Sequence, residues 1–321
     1  MSDSSTGEPA AVQRMRVHVL RELAMHRAQF AAGTTPSPLM VGVQGPQGSG
    51  KTYLTARLRD ALASAPHNLS VAVLSIDDLY LPHIGLVAVA NANPDNALLR
   101  GRGQPGTHDV PLGTEILRKL RVINEHSAND ASEVRIPAFD KSLHGGEGDR
   151  TSEGMVMRTP LDVVILEGWC VGFYPISDEE VDRRWEVPVK GLGKDFFKTR
   201  GFRKEDVKGI NRRLSDYVEW WDCFNTFIQI KPEDAHPYTH IYKWRLQQEH
   251  HMKARNGGKG MSDAQVEAFV DRYIPGYVFF GDGVVEGGLD TSGEKRRPPW
   301  LSHGLRIEIN ESREVVHASQ F

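Results

Sequence analysis

Gly45-Pro46-Gln47-Gly48-Ser49-Gly50-Lys51-Thr52 follows the pattern G-x-x-x-x-G-K-[ST] and stands between the apolar run Leu39-Met40-Val41-Gly42-Val43 and the helix-like Tyr53-Leu54-Thr55-Ala56-Arg57-Leu58. Strand, glycine loop and helix are the context in which this spacing turns successive backbone N–H groups inward around a polyphosphate. The helix N-terminus adds positive potential, Lys51 reaches the outer phosphates, and the Thr52 hydroxyl is offered to Mg²⁺. The chemistry expected here is the binding of a nucleoside triphosphate.

Two further groups of carboxylates fall where such a ligand could use them. Ser75-Ile76-Asp77-Asp78-Leu79-Tyr80 closes a second apolar run, Val71-Ala72-Val73-Leu74. Phosphoryl transfer to an alcohol needs a group that accepts the hydroxyl proton, and an aspartate does this without an unusual pKa. Aspartate before a helical turn is also a common N-cap, so one of the pair can cap while the other acts as base. The apolar Asp162-Val163-Val164-Ile165-Leu166 is followed by Glu167-Gly168-Trp169. A carboxylate one residue past a strand serves Mg²⁺ directly or through its waters.

Basic and imidazole groups complete the candidate set. Lys243, Arg245, Lys253 and Arg255 lie on a helix ahead of Asn256-Gly257-Gly258-Lys259-Gly260, a glycine hinge suited to a lid over phosphates. Arg245 is singled out because a planar guanidinium bridges transferring phosphoryl oxygens as a lysine cannot. The glycine-rich stretches 101–109 and 136–150 offer Arg102, His108, Lys141 and Arg150 to a small, polar, anionic acceptor, with Asp78 and Tyr80 beside it. Each of these is also an ordinary surface residue on its own. His250-His251 lack the partners of a metal site and are read as structural.

These groups must be positioned by a chain of 321 residues, 39% hydrophobic and 25% charged, long enough for a sizeable core. Its 42 acidic and 39 basic residues leave a net charge of -3, which gives no basic footprint for nucleic acid. Cys170 and Cys223 are too few for a disulfide framework. The start, Met1-Ser2-Asp3-Ser4-Ser5-Thr6-Gly7-Glu8, lacks a basic then apolar leader, and no window reaches the length of a membrane span, so a cytoplasmic, membrane-free protein is expected.

The apolar periodicity predicts an amphipathic helix over about 10–32, broken by Gly33-Thr34-Thr35-Pro36-Ser37-Pro38. Residues 1–37 are taken as an N-terminal extension and 38–321 as one nucleotide-binding domain. Within it, strands at 39–43, 71–74, 134–136, 162–166 and 227–230 alternate with helices at 50–64 and near 111–126, a helix opening at Ser177, and helices over 204–223 and 233–255. Ser262 caps a further helix, and 305–309 with 315–316 form a terminal hairpin turning at Asn310-Glu311. Stretches 82–111, 139–160 and 281–299 read as long loops that hold substrate at the carboxyl ends of strands. The pattern predicts an α/β fold of the P-loop NTPase type, three layers with a mainly parallel sheet and a helical lid.

The ordered motifs 45–52, 75–80, Gly101-Arg102-Gly103-Gln104-Pro105-Gly106-Thr107-His108-Asp109, Ile136-Pro137-Ala138-Phe139-Asp140-Lys141-Ser142 and 163–169 resemble those of the D-glycerate 3-kinase family, above all its fungal ATP-dependent kinase-like branch. Tyr242-Lys243-Trp244-Arg245-Leu246-Gln247-Gln248-Glu249 and Asp271-Arg272-Tyr273-Ile274-Pro275-Gly276-Tyr277 extend the likeness over nearly everything from about residue 38. The resemblance implies ATP and Mg²⁺ as cofactors and transfer of the γ-phosphoryl group to a small hydroxylated acid. It also implies that Asp77, two residues after Ser75, is the base. A GTPase switch would carry Asn-Lys-x-Asp, which the sequence lacks, whereas a nucleotide-binding protein with an interaction role stays as the alternative to a kinase.

Overall fold

The computed structural model describes residues 7–125 and 133–321, so residues 1–6 and the last residue of the helix expected near 111–126 lie outside it. Six strands form the central sheet: β1 (Leu39–Gln44), β2 (Val71–Ser75), β5 (Val163–Gly168), β6 (Thr226–Pro232), β9 (Gly304–Ile309) and β10 (Val315–Gln320). Their order is β10-β9-β6-β1-β5-β2, parallel throughout except for the edge strand β10. β1 and β5 are buried along their whole length, which is why both read as unbroken apolar runs rather than as alternating ones.

Alternation along β1 separates two apolar clusters. Leu39, Val41 and Val43 face α1 (Ala10–Arg27) and α2 (Lys51–Ala63), with Val12, Met15, Val19 and Leu23 of α1 in the same cluster. Met40 faces the opposite cluster, which includes α4 (Val110–Arg121), α7 (Lys204–Leu214), α8 (Val218–Trp221) and α11 (Ile274–Phe280). Gly42 lies on that second face because a Cβ there would meet the Phe227 ring at 2.6 Å. The apolar stripe of α1 therefore covers one face of the sheet, each fully buried Met15 or Val19 side chain contributing about 1.5–3 kcal/mol.

Several expected boundaries move. Helix α1 ends at Arg27, short of residue 32, where Arg27 pairs with Asp162 at 2.5 Å and His26 meets the Ser37 carbonyl at 2.9 Å, turning the chain towards β1. Val134 to Ile136 belongs not to the central sheet but to β3 (Glu133–Asp140), which pairs antiparallel with β4 (Asp149–Arg158) as a separate hairpin. The stretch 139–160, read as a loop, is thus largely the outer part of this arm, whose exposed polar faces hid its strand pattern. Stretch 82–111 contains α3 (His83–Ala92), an apolar helix with only Leu86 buried.

The helix expected over 204–223 breaks after α7 into a 3-10 turn and then α8. Between the arm and α7 lie α5 (Asp178–Trp185), whose N-cap Ser177 accepts from the Glu180 N–H, and α6 (Phe196–Thr199). The helix expected from 233 begins at Thr239 as α9 (Thr239–Arg255), because Pro232 and Pro237 hold the approach in non-helical dihedrals. After α10 (Asp263–Asp271), capped by Ser262 and Gln265 as expected, come α11, α12 (Gly283–Glu286) and a small pair, β7 (Gly288–Leu289) with β8 (Lys295–Arg296). The terminal hairpin β9–β10 forms as expected. No helix among the described residues is long and apolar enough to cross a membrane.

Where α1 meets β6, His18 is buried and its Nε2 lies 2.8 Å from Thr226 Oγ1. The Thr226 proton goes to the His303 carbonyl, so Thr226 accepts and His18 supplies the N–H. Burial pushes the His18 imidazole down to about 4, against about 6.5 when unfolded. Between those values the unfolded chain binds the extra proton, so stability falls as pH drops from about 6.5 to 4, by roughly 3 kcal/mol at most from this group. Urea midpoints across that range should show the loss in the wild type and a shallower slope in His18→Gln; identical slopes would contradict the buried neutral imidazole.

Candidate active site

The glycine loop leaves β1 at Gln44 and enters α2 at Lys51, with Gly48 and Gly50 at φ 73° and 87°, conformations that glycine reaches at little cost. Gly48 is held from outside. A Cβ there would stand 2.6 Å from Trp244 Cβ and 2.8 Å from the Arg245 backbone nitrogen, while Arg313 Nε donates to the Gly48 carbonyl at 2.7 Å. Trp244 is fully buried, so the helix carrying Arg245 is bolted to the loop by its core face. On the other flank Gln47 N–H donates to the Tyr277 hydroxyl at 3.3 Å, and that hydroxyl donates to Gln47 Oε1.

Parallel pairing sets the neighbours. Gln44 is in register with Gly168, and Ser75 with Glu167. Thr52 Oγ1 accordingly donates to Glu167 Oε1 at 2.9 Å, and Lys51 Nζ lies 4.0 Å from Glu167 Oε2. Glu167 is 2% exposed, and its Oε2 is buried with no hydrogen-bond partner. With only the distant Lys51 charge facing it and no hydrogen-bond donor, this buried oxygen is under-satisfied, and a divalent cation beside Thr52 would satisfy it.

Ser75 caps a 3-10 turn, Ile76–Leu79, by accepting from the Asp77 N–H at 3.3 Å, which presents both aspartates at the end of β2. Asp77 Oδ1 accepts from the Tyr80 hydroxyl at 3.0 Å, and Oδ2 from Lys141 Nζ at 2.5 Å. Burial pushes the Asp77 carboxyl up, but Lys141 and Lys51 outweigh it and hold the group well below the usual carboxylate range. Burial pushes Asp78 the other way, upward, with the Asp77 charge adding to it. The neighbouring carboxyls therefore differ in proton affinity.

His108 comes to the same place through an antiparallel bridge with Tyr80. Its ring stacks on Tyr80 at 4.5 Å, and burial pushes the imidazole down to about 4. The other basic residues have protein partners. Arg150 donates to the Tyr80 carbonyl at 2.8 Å and to Asp109 at 3.1 Å. Arg102 donates to the Gly146 carbonyl at 2.6 Å and to that of Glu147, tying stretch 101–109 to the arm. Arg245 pairs with buried Glu249 at 2.8 Å and lies over the Phe269 ring. The structure thus gathers Lys51, Thr52, Asp77, Asp78, Tyr80, His108, Lys141 and Glu167 around the strand ends.

Sequence reasoning assigned no role to Tyr277, Arg313, Trp169 and Tyr217. Trp169 Nε1 donates to the Gly103 carbonyl at 2.8 Å, and the Tyr217 hydroxyl meets both His108 and Gly106. Trp169 follows Glu167-Gly168 and Tyr277 closes the motif 271–277, so both stood inside quoted motifs without a role; Tyr217 and Arg313 have no local pattern to mark them.

A glycine loop between β1 and α2, on a mainly parallel sheet covered by helices on both faces, defines a P-loop nucleotide-binding fold, and the relatives make it that of a kinase. No protein-family model matches the chain. A solved D-glycerate 3-kinase from Cryptococcus neoformans superimposes with a TM-score of 0.86 at 39% identity, over 98% of this chain and 100% of that one. The "Uncharacterized kinase mug58" of Schizosaccharomyces pombe is 36% identical over 250 residues, 76% of this chain and 81% of that protein. The chloroplastic D-glycerate 3-kinase of Arabidopsis thaliana is 32% identical over 304 residues, which are 93% of this chain but 58% of the plant protein. The chain belongs to the D-glycerate 3-kinase family and is an ATP-dependent kinase.

The fit of Gly48 against α9 generates a test of the loop. Gly48→Ala places a methyl group into Trp244 and the Arg245 backbone at a positive φ, and neither neighbour can swing away. Thermal unfolding should drop by several degrees and ATP binding should weaken strongly. A variant with wild-type melting and nucleotide affinity would show that the loop does not depend on α9.

Proposed function

We propose that this kinase transfers the γ-phosphoryl group of Mg-ATP to a hydroxyl of a small hydroxylated acid, with D-glycerate as the acceptor. The observation that carries the reading is Asp77, held ionised at the strand edge beside Lys51 and oriented by Tyr80 and Lys141. D-glycerate itself rests on the names of the relatives.

In this reading the loop 45–52 binds the triphosphate through its backbone N–H groups, and Lys51 meets the outer phosphates. Thr52 and Glu167 would hold Mg²⁺, which when bound offsets charge on the phosphate oxygens. Asp77 accepts the proton of the acceptor hydroxyl as the new P–O bond forms. Its low proton affinity suits a loose transition state, in which positioning matters more than basicity. An anionic acceptor competes with Asp77 for Lys141 and frees the carboxylate at the moment of binding. Arg245, released from Glu249, supplies its guanidinium to the transferring group. Asp78, whose burial favours the protonated form, shapes the acceptor side.

The two aspartates separate this reading from a structural one. Asp77→Asn should lower acceptor-dependent ADP formation by about 10²–10⁴ while ATP still binds. Asp78→Asn should act mainly through the KM for the acceptor. The opposite ranking, with Asp78→Asn inactive and Asp77→Asn active, would assign the base to Asp78.

A further inference from the structure

The edge strand β10 takes no part in the phosphoryl-transfer steps above, yet the turn that leads into it reaches the phosphate loop. Between β9 and β10 the chain closes at Asn310, whose N–H donates to the Glu314 carbonyl at 3.0 Å and whose Oδ1 accepts from the Glu314 N–H at 3.0 Å. Arg313, inside this turn, stands at φ 65°, a left-handed conformation that is uncommon outside glycine. Two contacts fasten the turn to α9: Trp244 Nε1 donates to the Glu311 carbonyl, and Lys243 Nζ to the Glu311 carboxylate, both at 2.6 Å. The Arg313 guanidinium is therefore delivered to one fixed place.

Its partners there are all neutral. Nε donates to the Gly48 carbonyl at 2.7 Å, Nη1 to Gln247 Oε1 at 2.9 Å and Nη2 to the Trp244 carbonyl at 3.3 Å, while Cζ lies 5.6 Å from the centre of the Trp244 ring. The two acids of the turn are engaged elsewhere, since Glu311 faces Lys243 and Glu314 Oε2 accepts from Asn310 Nδ2 at 3.0 Å. Among the described residues no carboxylate pairs with Arg313, although its side chain is half-buried. An anion brought to the same loop meets a charge that is not already offset.

The bond to Gly48 gives that charge a second effect. A loop that wraps a polyphosphate in N–H groups has to keep its carbonyl oxygens turned away from the ligand. Gly48, at φ 73°, is poorly able to enforce this by itself, because glycine has no Cβ to restrict the rotation of its peptide. With the carbonyl held by Arg313, planarity puts the Ser49 N–H on the opposite side of the peptide, where it closes onto the Pro46 carbonyl at 3.2 Å. One guanidinium thus fixes the peptide at the middle of the loop.

We infer that Arg313 is a positioning residue of the nucleotide site, pinning the Gly48–Ser49 peptide with its oxygen outward and adding a positive charge that the bound triphosphate offsets. The inference rests on the phosphate-loop reading of residues 45–52 and is independent of the acceptor.

The test titrates ATP, and separately inorganic tripolyphosphate, into the full-length protein by calorimetry with Mg²⁺ and no acceptor. Arg313→Met keeps an apolar stem against Trp244 and loses the charge and the donors, so both dissociation constants should rise, by roughly 10- to 100-fold. In turnover with D-glycerate the KM for ATP should rise likewise, with kcat within a few-fold of wild type. Arg313→Lys, which retains the charge, should recover part of the loss, and Arg313→Gln is the second variant if Met disturbs folding. A folded Arg313→Met protein with a lowered melting temperature and wild-type affinity for both ligands would overturn the inference, leaving Arg313 as a strut between the turn and α9. Arg313→Lys binding no better than Arg313→Met would overturn the part given to charge. Lys51→Ala is the control for the site itself: wild-type ATP affinity in that variant would count against the phosphate loop rather than against Arg313.

Discussion

The register of three parallel strands is the constraint on which the site depends. Gln44 opposite Gly168 and Ser75 opposite Glu167 bring the glycine loop, the buried carboxylate and the paired aspartates to one edge of the sheet. A slip of one residue would turn every side chain on the shifted strand to the opposite face, taking Glu167 away from Thr52. The apolar runs prevent that slip. Val163 and Ile165 belong to the cluster around α1 and α2, and Val164 and Leu166 to the opposite one, so both faces of β5 are fixed by packing.

Around that edge, polar groups are neutralised by partners from distant parts of the chain. Lys141 reaches Asp77 from the arm, Arg313 reaches Gly48 from the terminal hairpin, and Tyr277 reaches Gln47 from α11. This arrangement ties the geometry of the phosphate loop to elements more than 200 residues away in sequence, since Tyr277 is 230 residues from Gln47 and Arg313 is 265 from Gly48. It also limits what a lid can be. Trp244 sits in the core against the phosphate loop, which holds α9 in place as a whole, so a lid of the kind proposed would have to be the Arg245 side chain or the glycine-rich connection 256–260.

Much of this was legible in the sequence where the physics is local. The glycine loop, the strand ends at Asp77 and Glu167, and the caps at Ser177 and Ser262 each declare themselves within a few residues. Of the arm only 134–136 read as a strand, because β4 buries none of its residues and so shows no apolar face to mark it. The partners of Arg102, Arg150 and Arg245 were equally hidden, since a sequence shows that an arginine is present and not which carbonyl or carboxylate lies beside it. His108 was visible as a candidate, but its partner Tyr217 lies 109 residues further on.

The most direct test of the account is to follow ATP consumption by the purified protein with Mg²⁺, with and without D-glycerate, while phosphorus NMR locates the transferred group. ADP should form in proportion to D-glycerate, with the phosphate appearing as an ester on a glycerate hydroxyl. ADP and free inorganic phosphate forming at the same rate whether or not a hydroxy acid is present would contradict it.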